Sequence, residues 1–150
     1  MSINKEELFN KCLDSVNDQI EKYRGKMDEI SGQNEENKMH PDFDEYGNKG
    51  EMLTNYEKNA GYLDNAREMK ETLANLDRNH LSETVRPGSL VETKNGFYYI
   101  SVPLGQIDLE DGTSVYAIST DAPIYEHLEG KKAGDEFTFK DDKIEVVKVY

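Results

Sequence analysis

Apolar residues recur every three or four positions through the first half of the chain, which is the spacing of one face of an α-helix. Between residues 4 and 31 the stripe consists of Leu8, Cys12, Val16, Ile20, Tyr23, Met27 and Ile30. Between residues 50 and 78 it consists of Leu53, Tyr56, Ala60, Leu63, Ala66, Met69, Leu73 and Leu76. Two such helices hide their stripes against each other, so we predict an antiparallel coiled-coil hairpin over residues 1–79. Ser2 or Asn4 is the predicted N-cap of the first helix.

The segment between the two stripes interrupts the helical pattern. Residues 32–49 contain two glycines, one proline and three asparagines, which are turn and loop signals. Acidic side chains dominate residues 32–51, namely Glu35, Glu36, Asp42, Asp44, Glu45 and Glu51. We therefore predict a loop at residues 32–49 and an acidic tip of the hairpin at residues 32–51.

After residue 80 the apolar residues alternate with a period of two, which is typical of strands. Segments 89–93 and 97–103 flank Lys94-Asn95-Gly96, a strong hairpin signal. A further strand over 115–119 follows a turn at Glu110-Asp111-Gly112, and the chain closes with a strand from Lys143 to Tyr150. These features predict a β-rich domain over residues 85–150, joined to the hairpin by a short polar linker.

Residues 119–139 predict one short helix within this domain. Asp121 is the expected N-cap, and Pro123 suits the first helical turn because its missing N–H is not needed there. Ile124 and Leu128 are four residues apart and share one helix face, while Gly130 suits a left-handed C-cap. Gly134-Asp135 then predicts a turn into a strand with Phe137 and Phe139. The predicted class is α+β, a helical hairpin followed by a small β-rich domain with one helix near 122–129.

The charge balance argues against direct nucleic-acid binding. The net charge is −13, with 18 acidic and 11 basic residues up to Asn79 and 13 acidic and 7 basic residues after it. Neither half therefore offers the basic surface that displaces counterions from a nucleic acid. An acidic protein can instead dock on a basic protein surface.

The single cysteine and the absence of long apolar runs set the expected compartment. Cys12 has no second cysteine with which to form an internal disulfide, and it lies in the apolar stripe, which favours a buried role. No apolar run reaches membrane-spanning length, and residues 1–10 lack a signal-peptide core. A cytoplasmic protein without membrane partners is expected.

The order of small and apolar residues in the C-terminal half resembles that of a known family. Pro123-Ile124, Leu128, Gly130-Lys131 and Gly134-Asp135, with Val85 to Val91 upstream and Lys143 to Tyr150 downstream, look like the C-terminal domain of the Gre transcript-cleavage factors. In the helical half, Gly61-Tyr62-Leu63 followed by Arg67 resembles the descending arm of the Gre hairpin more weakly. The resemblance implies an FKBP-like fold over residues 85–150 and bacterial RNA polymerase as the partner.

The resemblance also implies where such a factor would act. The Gre hairpin enters the secondary channel of the polymerase, and paired acids at its tip bring a second Mg²⁺ to the active site. In this chain the spacing of the tip acids differs from the family motif. The resemblance therefore implies the same type of metal chemistry, but it does not match the acids residue by residue. Asp42 and Asp44, with Glu45 third, are the expected metal ligands, shared with the polymerase, and no cofactor is expected on the protein alone. The alternative is a solvated acidic loop; His40 is a weaker candidate ligand or base.

The family docks its globular domain on the rim of the polymerase channel through one end of that domain. In this chain the corresponding surface comprises Ala122, Pro123, Ile124, Tyr125, Lys131 and Lys132. The expected protein is no enzyme by itself and at most stimulates the RNA cleavage of the polymerase. Two other interpretations stay open: an interaction module outside transcription that uses the same fold, and self-association through the hairpin.

Six aromatic residues in the β-rich half suggest one more possibility. Phe97, Tyr98, Tyr99, Tyr116, Phe137 and Phe139 could line a pocket like that of a prolyl isomerase. At a period of two, however, about half of them must point into the core. Isomerase activity is therefore the weaker interpretation of these residues.

Overall fold

The computed structural model describes residues 3–38, 47–77 and 81–150. These residues form the helices α1 (Lys5–Lys38), α2 (Gly47–Asn75) and α3 (Pro123–Leu128). They also form the strands β1 (Leu90–Thr93), β2 (Gly96–Ile100), β3 (Gly105–Asp108), β4 (Ser114–Ile118), β5 (Glu136–Phe139) and β6 (Asp142–Val149). The predicted α+β class, with two long helices before a β-rich part that carries one short helix, is confirmed.

The chain divides into two compact units, and the division falls within the long helices. One unit is Val16–Lys70, and the other combines Met1–Ser15 with Glu71–Tyr150. The start of α1 thus shares a unit with the end of α2, while the remaining parts of both helices share the other unit, so the two helices run antiparallel. The compact units divide inside the two long helices, and the unit that contains the sheet includes the start of α1 and the end of α2. The domain boundary predicted at residues 79–85 stays a prediction.

In the unit Val16–Lys70, the two helices meet along the predicted stripes. The side chains of Val16, Ile20, Leu63 and Ala66 are buried. Beside the second stripe, the ring of Tyr62 lies 5.1 Å from the ring of Tyr23 between centroids. Toward the start of α2 the stripe opens to solvent, where Leu53 is 58% exposed.

The helix ends confirm one predicted cap and correct the predicted loop. The side chain of Asn4 accepts hydrogen bonds from the N–H groups of Glu6 and Glu7, at 3.0 and 3.2 Å, as an N-cap does. The loop predicted over 32–49 was wrong at both ends, because 32–38 and 47–49 are helical. Residues 33–38 are mostly Gln, Glu and Lys, which favour helix, so a glycine at 32 does not end α1. Residues 39–46 lie outside the described part of the chain.

The six strands form one mixed sheet in the order β3-β4-β2-β1-β6-β5. Strands β2 and β4 are parallel, and the other neighbouring pairs are antiparallel. The predicted turn between β1 and β2 is confirmed, with Gly96 at a φ of 141°. Strand β3, which we did not predict, carries a single large apolar side chain, Ile107, and it pairs with β4 along its whole length.

Each face of the sheet buries apolar side chains within its unit. Helix α3 buries Ile124, Tyr125 and Leu128 in one core cluster, together with Val85, Val91, Ile100, Ile144 and Val146. Side chains that point to the opposite face, such as Leu90, Tyr99 and Val115, are also buried. The first turns of α1 and the last turns of α2 are the remaining helical parts of this unit, and they bury Leu8, Cys12 and Leu73. The sheet is therefore the middle layer of this unit.

Two polar contacts fix the start of α1 against the sheet domain. The carboxylate of Glu7 accepts the backbone N–H of Glu110 at 2.8 Å, and the ammonium of Lys5 donates to the carbonyl of Tyr150 at 3.2 Å. Burial lowers the pKa of Lys5, while the carboxylate of Asp77 opposes that shift. These contacts join segments that are far apart in the sequence.

Candidate functional surface

The surface at the start of α3 is built by a proline and a local turn. Pro123 is the first helical residue, and Ala122 before it is extended, with φ −64° and ψ 136°. A proline drives the preceding residue out of the helical region, so the cap position falls on Ala122. The N-cap predicted at Asp121 was wrong for this reason: no side chain caps this helix, and the N–H of Asp121 bonds to the hydroxyl of Ser119 at 3.2 Å.

The end of α3 is held by Gly130 and by two neighbouring segments. Gly130 has a φ of 75°, the left-handed conformation predicted for the C-cap. Its N–H donates to the carbonyl of Val85 at 2.9 Å, and the N–H of Val85 donates to the carbonyl of Lys131 at 2.8 Å. The carboxylate of Asp135 accepts the N–H of Lys132 at 2.9 Å. The segment after α3 is thus pinned on both sides.

The six residues predicted for partner binding divide into exposed and buried groups. Pro123 and Lys132 are exposed, and Ala122 and Lys131 are partly buried. Ile124 and Tyr125 are only 9% and 5% exposed, because both belong to the core cluster under α3. Burial, and secondarily the carboxylate of Glu129, raises the pKa of Tyr125. Of the six, the exposed and partly buried residues can touch a partner, whereas Ile124 and Tyr125 hold the helix in place beneath them.

An exposed histidine, not predicted as functional, extends this surface toward β5. The ring of His127 is stacked on Phe137 with centroids 5.9 Å apart and planes 8° apart. It also meets the edge of Phe139 at 5.6 Å. The surface next to α3 is therefore partly aromatic, and we define the α3 surface as Ala122, Pro123, His127, Lys131 and Lys132.

The hairpin unit carries a cluster of lysines around two tyrosines. The ammonium groups of Lys22 and Lys26 lie 5.4 and 6.0 Å from the centre of the Tyr23 ring. The ammonium of Lys58 lies 5.9 Å from the centre of the Tyr62 ring. Cations at such distances are attracted to the ring faces. Sequence reasoning noted Tyr62 within the Gly61-Tyr62-Leu63 motif but missed its pairing with Tyr23, which depends on the register of the two helices.

The predicted metal ligands Asp42, Asp44 and Glu45, and also His40, lie outside the described residues. Their metal role therefore stays a prediction. Within residues 3–38, 47–77 and 81–150, no three His, Cys, Asp or Glu side chains are placed to hold a metal ion together. In the same part of the chain, no helix is both long enough and apolar enough to cross a membrane.

Comparison with known proteins gives distant structural likenesses, among them two structures of Gfh1. No protein-family model matches the sequence, and no curated protein matches it. A solved structure of the transcription factor Gfh1 is 16% identical, with 92% of this chain and 92% of that chain covered at a TM-score of 0.39. A crystal structure of GreA factor homolog 1 (Gfh1) of Thermus thermophilus is 17% identical, with 92% and 94% covered at a TM-score of 0.34. At these identities and TM-scores, neither likeness assigns a function to this chain.

Proposed function

We propose that this protein is a Gre-like factor that binds bacterial RNA polymerase and modulates elongation, with its helical hairpin in the secondary channel. The observation that supports the proposal best is the fit between the family-like residues and the local structure. Pro123 opens α3, Leu128 seats it on the sheet, and Gly130 ends it in a left-handed cap. The residues that carry the resemblance are thus those that shape the α3 surface.

In this proposal, the α3 surface docks on the polymerase and the hairpin reaches into it. The positive charge of Lys131 and Lys132 suits an acidic site on the partner, and exposed Pro123 offers rigid apolar contact. Neither function needs chemistry by the protein itself, so it would not be an enzyme. A polymerase partner would place it in the cytoplasm.

The first experiment tests polymerase binding. The tagged full chain is used to recover proteins from its native cells, and binding to purified polymerase is then measured directly. We expect recovery of polymerase subunits, and we expect Lys131→Glu with Lys132→Glu to weaken binding about tenfold by reversing two surface charges. Lys148→Glu, on β6, is the matched control and should leave affinity unchanged. Failure to bind polymerase would remove this proposal and favour an interaction module outside transcription.

A sharper version of the proposal adds stimulated cleavage of backtracked RNA. Asp42 and Asp44, with Glu45, would then help to hold a Mg²⁺ shared with the polymerase, since Mg²⁺ takes one or two carboxylates besides phosphate oxygens and waters. Bound there, the ion would supply charge stabilisation at the RNA phosphate. The blunter version is a factor that occupies the channel without cleavage.

Substitutions at the tip separate these two versions. In a stalled, backtracked complex with Mg²⁺, Asp42→Asn and Asp44→Asn should each abolish RNA shortening, because the amide keeps the size of the side chain but removes its charge. Polymerase affinity should persist in both variants, since the α3 surface is untouched. Asp64→Asn, an exposed acid of α2, is the control and should cleave normally. Tight binding of the wild type with no shortened RNA would leave only the channel-occupying version.

A further inference from the structure

Five polar and aromatic side chains share one face of strands β2, β3 and β4. In the sheet register, Gln106 lies opposite Tyr116, and Tyr116 lies beside Tyr98. Asp108 lies opposite Ser114 in the next row. Because residues opposite each other, or two apart on a strand, point to the same side, all five project from one face.

This part of the sheet face is open, although α3 covers the rest of it. The core cluster under α3 draws its strand residues from β1, β2 and β6, including Val91, Ile100 and Val146. Tyr98 is only partly buried at the margin of that cluster, and Tyr116 is 44% exposed. The two tyrosine rings therefore form an accessible aromatic surface at the β3–β4 edge.

The two rings lie close to each other. Their centroids are 6.0 Å apart with planes tilted by 32°. Burial, and secondarily the neighbouring Tyr116, raises the pKa of Tyr98. Neutral tyrosine rings carry negative potential on their faces and attract cations.

A fixed carboxylate stands next to this ring pair. One oxygen of Asp108, Oδ1, accepts hydrogen bonds from Gln106 Nε2 at 2.8 Å and from Ser114 Oγ at 2.7 Å. These bonds, that of Gln106 first, lower the pKa of Asp108, and Lys11 adds a smaller effect. No described residue is shown donating to Oδ2, so this charged oxygen remains able to accept. Asp108 is diagonal to Tyr116 across the strand pair, a separation of roughly 7–8 Å that long side chains bridge.

We propose that Tyr98, Tyr116 and Asp108 bind an arginine side chain presented by a basic segment of a partner protein. A guanidinium group is planar, so it can lie on a ring face while it donates to a carboxylate at its edge. A lysine ammonium is not planar, so it can make one of these two contacts but cannot lie flat on a ring while it donates to the carboxylate. The net charge of −13 draws basic segments toward the protein and repels nucleic-acid phosphates, which favours a protein partner over a nucleic acid. This binding is separate from the polymerase proposal and does not depend on it.

The test titrates a short neutral-flanked probe into the full-length protein. The probe is acetyl-Ser-Arg-Ser-amide, and binding is followed by shifts of backbone amide signals in ¹⁵N-labelled protein. We expect saturable shifts concentrated at 106–108, 114–116 and Tyr98. The same peptide with citrulline, which keeps the planar shape without the charge, should bind about tenfold more weakly or not at all. The lysine peptide should fall between the two.

Variants locate the site and guard against loss of folding. Asp108→Asn keeps the acceptor for Gln106 and Ser114 but removes the charge, and it should weaken the arginine peptide about tenfold. Tyr116→Leu should weaken binding of the arginine peptide by a similar factor. Tyr116→Phe keeps the ring and should bind the peptide normally, which would show that a substitution at this position does not by itself unfold the site. Asp142→Asn, an exposed acid of β6, is the matched control for general charge attraction. Equal binding of the citrulline peptide, or an equal loss in Asp142→Asn, would overturn the proposal.

Discussion

Cys12 is buried completely, and its surroundings determine how its thiol behaves. Burial raises the pKa of the thiol to about 11 from an ordinary value of 9.0, and the nearby Ser101 hydroxyl lowers it slightly. A thiol in such a site is a poor nucleophile, because only the thiolate reacts. The structure therefore supports the sequence prediction that Cys12 is a small core residue.

The raised pKa predicts how stability depends on pH. The neutral thiol is favoured in the folded state, so its contribution is complete below the unfolded-state pKa of 9.0 and is lost as the pH rises toward about 11. We expect wild-type protein to lose on the order of 2 kcal/mol more than Cys12→Ala between these pH values. Urea unfolding at pH 8 and pH 11 measures the difference. The titration of the tyrosines affects both proteins equally and cancels in the comparison. Equal losses of stability in wild type and Cys12→Ala would therefore contradict the prediction.

At the scale of elements, glycines inside the two long helices offer room for a side chain. Gly25 lies inside α1 and Gly61 inside α2, and an added Cβ would meet nothing within 4 Å at either position. Because alanine restricts the unfolded chain and favours helix, Gly25→Ala and Gly61→Ala should each stabilise the protein by about 0.5–1 kcal/mol. Gly130→Ala is the control: it also has open space but a φ of 75°, so it should destabilise by roughly 1–2 kcal/mol. Thermal melts that rank these variants otherwise would refute the account.

The hairpin between β5 and β6 turns through two residues that are not glycine. Lys140 and Asp141 have φ values of 50° and 69°, and Phe139 pairs with Asp142 across the turn. Such a turn prefers Asn-Gly or Asp-Gly, since glycine adopts positive φ without strain. We expect Asp141→Gly to raise the free energy of unfolding by ~1 kcal/mol. Asp142→Gly, one residue further on in the extended strand, should lower the free energy of unfolding. Urea unfolding midpoints of the two variants test both expectations.

The elements differ in how well the sequence predicts them. The helical stripes, the β1–β2 turn and the Gly130 cap each depend on residues within a few positions, and all three are found. Strand β3 was missed because its pattern is weak alone and becomes a strand only by pairing with β4. The bonds that hold Asp108 were missed for the same reason, since they depend on the register of two strands. The metal role of the tip acids stays a prediction from the sequence, because these acids lie outside the described residues.

At the scale of the whole molecule, Tyr150 ties the last strand both to the sheet and to α1. Its N–H and carbonyl exchange hydrogen bonds with Leu90 at 2.8 and 3.2 Å, and its carbonyl also accepts from Lys5. Deletion of Tyr150 should therefore increase amide exchange at Leu8 and Phe9 in the first turns of α1 by about fivefold, equivalent to ~1 kcal/mol of local stability. Lys148→Ala keeps these bonds and serves as the control. Unchanged exchange at both amides after the deletion would show that the tie is unimportant.

The division of the sheet unit into residues 1–15 and 71–150 has a consequence for synthesis on the ribosome. The first turns of α1 are made before the sheet, and a contact such as Lys5 with Tyr150 spans 145 positions. At translation rates of about 5–20 residues per second, the start of α1 waits roughly 7–30 s for that partner. Until β6 joins it the sheet is incomplete, so Leu8, Phe9 and Cys12 lack their full cover through that interval. The nascent chain therefore presents this apolar segment of α1 until the last strand is made, and such segments are the kind that chaperones bind.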